Sequence, residues 1–242
     1  MKKLLLISTS VVSMALTSFA VSIDTSETAA WAGHMHVFDN AGGSAGAHLW
    51  GSAWGTGALN ASYAGGVVTL APNTNTYADN VAGAQADIAY WTNSVDGGVT
   101  AGNDGNKFMQ ANYFLENPGD NLGWAGQTLT FSGNVDSATL DSRYGAVAFI
   151  KVLDVAADYA EIGFETASIT STGAFSISYD VAAGNYIGQI GFQMTGINAN
   201  PDTDWGNVQI SGLSATAVPE PSTYALIAGF AAFVFVAIRR RK

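Results

Sequence analysis

Between residues 20 and 218 the apolar and polar positions alternate with a period of two. In "AFSISYDV" Phe175, Ile177, Tyr179 and Val181 share one side, and Ser176, Ser178 and Asp180 the other, which is the signature of a half-buried strand. "YIGQIGFQM" alternates in the same way, with Tyr186, Ile190, Phe192 and Met194 on one face. "FMQANYFLE" and "QTLTFSGNV" read as further strands, the second pointing Leu129 and Phe131 inward, and the more continuously apolar "AVAFIKVL" suits a central strand. Short runs at Met35 to Phe38, Val67 to Leu70, Ala86 to Trp91 and Val208 to Leu213 bring the expected number of strands to about nine. Turn clusters separate them, among them "NPGDN", "TAGNDGN" and "INANPDTD". The segment from Gly42 to Gly66, rich in Gly and Ala, reads as irregular loop and short strand. No fixed repeat is present, so a β-solenoid is excluded. The expectation is an all-β fold, an antiparallel two-sheet sandwich of jelly-roll type.

The two ends break this pattern. Residues 1–20, "MKKLLLISTSVVSMALTSFA", carry Lys2 and Lys3, an apolar stretch from Leu4 to Leu16, and small residues at Ser18 and Ala20. That is the layout of a secretory signal peptide and predicts export through the Sec pathway. At the other end Tyr224 to Ile238 form an apolar run of roughly 22 Å as a helix, short of the ~30 Å hydrocarbon core unless Pro221 to Thr223 join it. Arg239, Arg240, Arg241 and Lys242 follow as a membrane stop, expected to stay cytoplasmic. The sandwich is thus expected over residues 21–217, and a tail with one transmembrane helix over residues 218–242.

Composition sharpens the picture. Charged residues make up 12% of the chain, about half the usual share. Residues 21–218 hold three cations (Lys107, Arg143, Lys151) against eighteen acids, a balance of 3 − 18 = −15. Such a surface repels phosphate backbones and argues against nucleic acid as a partner. There is no cysteine, so no disulfide supports the exported fold.

The tail closely resembles the PEP-CTERM sorting domain of Gram-negative bacteria. The matching residues are Val218, Pro219, Glu220, Pro221, Ser222 and Thr223, then the apolar helix with Gly229, then the basic end. The resemblance implies recognition by an exosortase, transient anchoring in the inner membrane, and delivery to the cell surface or an exopolysaccharide matrix. "WGNVQISGLSATAVPEP" also resembles the closing strand of jelly-roll, carbohydrate-binding-module-like domains that precede such tails, with Gly206 where those carry Asp. "GNKFMQANYF" and "GQTLTFSGNV" are similar to sandwich strands of surface and glycan-associated proteins.

Candidate chemistry is sparse. Sugars stack their C–H faces on aromatic rings, and loops usually carry the binding residues of a sandwich. Trp50, Trp54 and Trp124 are therefore the expected ligand platforms, with core packing as the competing role. Calcium is the cation that Asp- and Asn-rich turns would take. Asp202 and Asp204, then Asp120, are the first candidates, although Asp and Asn in such turns also serve turn formation alone. His34 and His36 share one strand face, with His48 twelve residues on. Two imidazoles so placed can begin a zinc or copper site, but ordinary strand positions explain them as well. Glu161 and Glu165 are expected on one strand face, roughly 13 Å apart at strand rise. That exceeds the ~5–9.5 Å needed for paired-carboxylate glycoside hydrolysis.

No nucleophile motif, phosphate loop or catalytic pair emerges. The expected function is that of a non-catalytic, glycan-associated surface module whose partners are an exosortase and a polysaccharide. The alternatives are a structural matrix component without a ligand and, third, a secreted glycan-active enzyme acting through Glu116 or Glu161.

Overall fold

The computed structural model describes residues 20–77, 88–92, 105–116, 124–184 and 186–219, with 229, 231 and 236. Among the described residues there are twelve strands. They are β1 (Val21–Ile23), β2 (Ala32–Asn40), β3 (Ala45–Ala53), β4 (Ala61–Ala64), β5 (Val67–Leu70), β6 (Lys107–Glu116), β7 (Gln127–Ala138), β8 (Gly145–Asp154), β9 (Ala160–Ser168), β10 (Gly173–Val181), β11 (Tyr186–Ile197) and β12 (Val208–Pro219).

They form two antiparallel sheets. The first runs β10-β7-β12-β5-β4 with β1 also on β12; the second runs β3-β2-β6-β11-β8-β9. Strands β5 to β12 alone give β5-β12-β7-β10 facing β6-β11-β8-β9. Every connection among those eight crosses between sheets except β8 to β9, which is the jelly-roll topology. Strands β2 and β3 widen the second sheet, and β4 the first.

The period-two pattern explains the core. Leu129 and Phe131 on β7, Phe175 and Ile177 on β10, and Val208, Ile210, Ala215 and Ala217 on β12 meet Ile190, Phe192 and Met194 on β11 and Ala146, Ala148, Ile150 and Val152 on β8. Phe192 lies 5.4 Å from Phe131 and 6.3 Å from Phe175 between ring centroids, joining the two sheets. Strand β12 serves two neighbours because it bends. Its register against β7 shifts between Ser211 and Ser214, and Gly212 sits there at φ 62°. Such a bulge calls for a left-handed residue, which glycine adopts without a Cβ penalty. Before the bulge β12 pairs with β5, and after it with β1, where Val21 faces Ala217. The strand continues to Pro219, opposite Gln127, so Val218 and Pro219 of the expected sorting motif belong to β12.

Three sequence expectations need correction. Ala86 to Trp91 was expected as a strand, yet Ile88–Trp91 is one helical turn, residues 86 and 87 lying outside the described set. Trp91 is buried there, and its carbonyl accepts from Asn106 N and Asn198 Nδ2, so tertiary contacts override the local preference. The Gly42–Gly66 segment contains the nine-residue strand β3 and the strand β4, paired to β2 and β5. Glu161 and Glu165 do not share a face. The β8–β9 register shifts between Val152 and Leu153, so Glu161 pairs with outward Leu153 and Glu165 with core-facing Ile150.

Among the described residues no helix is long and apolar enough to cross a membrane. Of the expected signal peptide over 1–20 all but Ala20 lie outside the described residues, as do Glu220 and Pro221 of the sorting motif and the basic end; of the expected transmembrane helix only 229, 231 and 236 fall within them.

Candidate functional site

On the second sheet the core takes one set of alternate side chains, and the other set faces away from the first sheet. Reading across the strands through the pair registers, the outward rows are His34–Asn112–Gln193, then Phe114–Gly191–Phe149, then Glu116–Gln189–Lys151. A row with no side chain at its centre is therefore flanked by two rows of amides and charged groups. A groove of about 410 Å³ crosses this face, lined by residues of β2, β6, β11 and β8, by Tyr159 in the turn before β9 and by Glu161 on β9. Four inter-strand spacings make it roughly 19 Å from β2 to β9.

The polar groups are ordered by one another. Gln193 Nε2 donates to Asn112 Oδ1 at 2.9 Å, and Gln189 Nε2 donates to Glu116 Oε2 at 2.6 Å. Asn112 Nδ2 reaches the carbonyls of His34 and Gln110, both at 3.4 Å. Asn112, Gln189 and Gln193 are buried although they lie on the outward face. Each glutamine uses one N–H on its neighbour and retains a carbonyl oxygen and a second N–H. His34 Nδ1 is buried without a hydrogen-bond partner among the described residues. An orphaned buried nitrogen is costly.

Lys151 is the cation of the groove. Its Nζ lies 3.7 Å from Glu161 Oε2 and over the rings of Phe149 and Phe164, at 5.4 and 5.0 Å from their centroids. Burial pushes its pKa down, and Glu161 opposes that shift. The imidazoles sit beside it. The His34 and His36 rings are 4.5 Å apart, and His36 Nδ1 lies 3.3 Å from His48 Nε2. Burial holds the His36 pKa down at about 4, with His34, Lys151 and His48 adding repulsion; burial also lowers that of His34.

The sign of the His36 effect follows. The unfolded chain takes up a proton near pH 6.5 and the folded chain near 4, so the neutral form stabilises the fold fully above 6.5. Stability is expected to fall as pH drops from about 6.5 towards 4. In urea unfolding at pH 7 and pH 5, His36→Gln should flatten that slope; an unchanged slope would place the dependence elsewhere.

The residues expected from sequence fall elsewhere. Trp50 Nε1 donates to Tyr90 Oη at 2.9 Å, and its ring lies 6.1 Å from Trp91 and 6.4 Å from Trp54. Trp54 Nε1 donates to Ser52 Oγ at 3.0 Å. Both tryptophans are half-buried against the core, and Trp124 lies on Gly188, a position that would clash with any Cβ. The structure thus brings Trp50 and Trp54 together and leaves Trp124 apart. Asp204 Oδ1 accepts from Gly206 N at 2.9 Å, closing a turn, and Asn200 Oδ1 does the same for Asp202 N at 2.9 Å. Asp120 lies outside the described residues. Among the described residues no three His, Asp or Glu side chains converge to hold a metal. The groove residues Asn112, Gln189 and Lys151 belong to the polar half of an alternating pattern; the cue in the sequence is that amides, Asn112 and Gln189, occupy it on adjacent strands.

Residues 217–242 match the PEP-CTERM protein-sorting motif. That motif marks an exported protein recognised by an exosortase and processed at the membrane. No curated protein matches the chain. Among solved structures, the enzymatically active domain of bacteriophage CBA120 tailspike protein 4 is similar over 60% of this chain, at 13% identity and a TM-score of 0.28. The match spans 21% of that tailspike chain. The Stig cyclase Fisc from Fischerella sp. TAU, solved with (3Z)-3-(1-methyl-2-pyrrolidinylidene)-3H-indole, is similar over 86% of this chain and 92% of its own, at 8% identity and a TM-score of 0.31. At these scores neither likeness bears on the chemistry of this chain.

Proposed function

We propose that this chain, carrying an exosortase sorting motif, is a non-catalytic surface or matrix module that binds neutral polysaccharide in the groove across its second sheet. The observation that carries the reading is the floor of that groove. Buried amides on β6 and β11, oriented by each other and by Glu116, offer donors and acceptors side by side, as vicinal sugar hydroxyls require. A volume of about 410 Å³ lies within the range of ligand sites, and the groove is long enough for several linked sugar units. The balance of −15 over residues 21–218 disfavours polyanionic glycans and leaves neutral ones. Glu116 and Glu161 stand on strands separated by β11 and β8, three spacings or roughly 14 Å. That separation gives no support to a hydrolytic pair.

Calorimetric titration of the purified chain with soluble β-glucan, xylan, galactomannan and alginate tests the reading. One neutral polymer is expected to bind saturably, and Gln189→Ala should weaken it about tenfold by removing a hydrogen bond to a polar ligand. Binding of alginate alone, or of no polymer, would contradict the proposal and favour a structural matrix component.

A further inference from the structure

At the mouth of the groove the chain turns from β8 into β9 through an uncommon conformation. Asp154 Oδ1 accepts from Ala156 N at 2.9 Å, and Tyr159 N donates back to the Asp154 carbonyl at 2.9 Å. The two residues that complete the turn, Asp158 and Tyr159, lie at φ 55° and 61°. Asp tolerates the left-handed region, as does Asn60, the other described non-glycine residue found there. A bulky aromatic residue does not, and glycine would take this backbone without strain.

Nothing in the sandwich accounts for a tyrosine at this point. Its side chain enters no core cluster, the residue is 56% exposed, and its hydroxyl has no partner among the described residues. The ring stands instead at the groove's edge with Lys151, Leu153 and Glu161. Strained backbone persists where function selects the residue, and an exposed ring beside a polar floor is the arrangement that sugar rings use.

We infer that Tyr159 is the stacking platform of the groove: the apolar face of a sugar residue lies on its ring while the hydroxyls of that residue reach the Glu161–Lys151 pair and those of the next linked residue the Glu116–Gln189 pair. This rests on the glycan reading of the groove and names the residue that grips the ligand. It also predicts that stability and binding part company at one position.

Affinity electrophoresis of the full chain through soluble β-glucan, xylan and galactomannan, together with thermal unfolding, is the test. Tyr159→Gly should leave the melting temperature unchanged or raise it by up to about 4 °C, through relief of the left-handed strain. The same variant should weaken retardation about tenfold. Tyr159→Phe, which keeps the ring, should retain most of the affinity. If Tyr159→Gly binds like the parent while Gln189→Ala binds less well, the platform is overturned and the groove stands. A Tyr159→Gly variant that loses stability and affinity together, with Tyr159→Phe doing the same, would show a role in the fold and overturn the inference. A parent chain retarded by no polymer would overturn the groove reading and the platform with it.

Discussion

Phe192→Ala should lower the free energy of unfolding by about 3–5 kcal/mol. Phe192 is fully buried on β11, which is paired on both sides, to β6 and β8. Its ring meets Phe131 and Phe175 of the opposite sheet and lies 6.3 Å from Trp31, itself stacked at 4.7 Å on Tyr113. Removing it opens a void that strands held on both edges cannot close. Domains of this kind are stable by only about 5–15 kcal/mol, and this one has no disulfide to fall back on. Urea unfolding reads the loss as a shifted midpoint at unchanged slope. A loss below about 1 kcal/mol would mean that the sheets do not meet through this ring.

Gly191→Ala is expected to damage stability and binding together. Gly191 lies opposite Phe114 on β6 and Phe149 on β8, between the rows that carry Gln189 and Gln193. A Cβ there would run into the Tyr113 carbonyl oxygen and the Phe114 Cα, backbone atoms that cannot rotate away. Strands β6 and β11 must separate locally, at a cost of about 1–3 kcal/mol. The Gln189–Glu116 and Gln193–Asn112 hydrogen bonds span that same strand pair on either side of Gly191, so glycan affinity should fall by tenfold or more. Gly57→Ala is the control, because a Cβ there meets nothing within 4 Å. Equal behaviour of the two variants in unfolding and in glycan titration would contradict the close approach of β6 and β11.

The sandwich was legible because its inward residues are large and strictly alternate. Leu129, Phe131, Ile190 and Phe192 are buried as the pattern requires. Strand β3 was harder to read. Its Ala-, Gly- and Ser-rich sequence has little intrinsic strand preference, and pairing with β2 supplies what local sequence does not. The bulge beside Leu153 was also silent in the sequence, and it decides that Glu161 faces the groove while Glu165 does not. The groove was not legible for a related reason. Gln189 and Gln193 occupy the polar half of an alternating strand and look like solvent-facing residues, yet each is 9% exposed. Their partners are 73 and 81 residues away in the chain, and only the fold order β2-β6-β11-β8-β9 sets Gln189 in the groove and Gln193 behind the groove residue Asn112. The tryptophans drew attention by type, but residue type does not reveal that Trp50 and Trp124 pack against the body of the sandwich.

That contrast defines the most direct measurement. Affinity electrophoresis of the parent chain, a Gln189→Ala/Gln193→Ala variant and a Trp50→Ala variant through the same neutral polysaccharides separates the groove from the tryptophan loop. The groove account predicts retardation of the parent by one polymer, its loss in the double glutamine variant, and its survival in Trp50→Ala. Retardation that survives the glutamine changes and disappears with Trp50→Ala would contradict it.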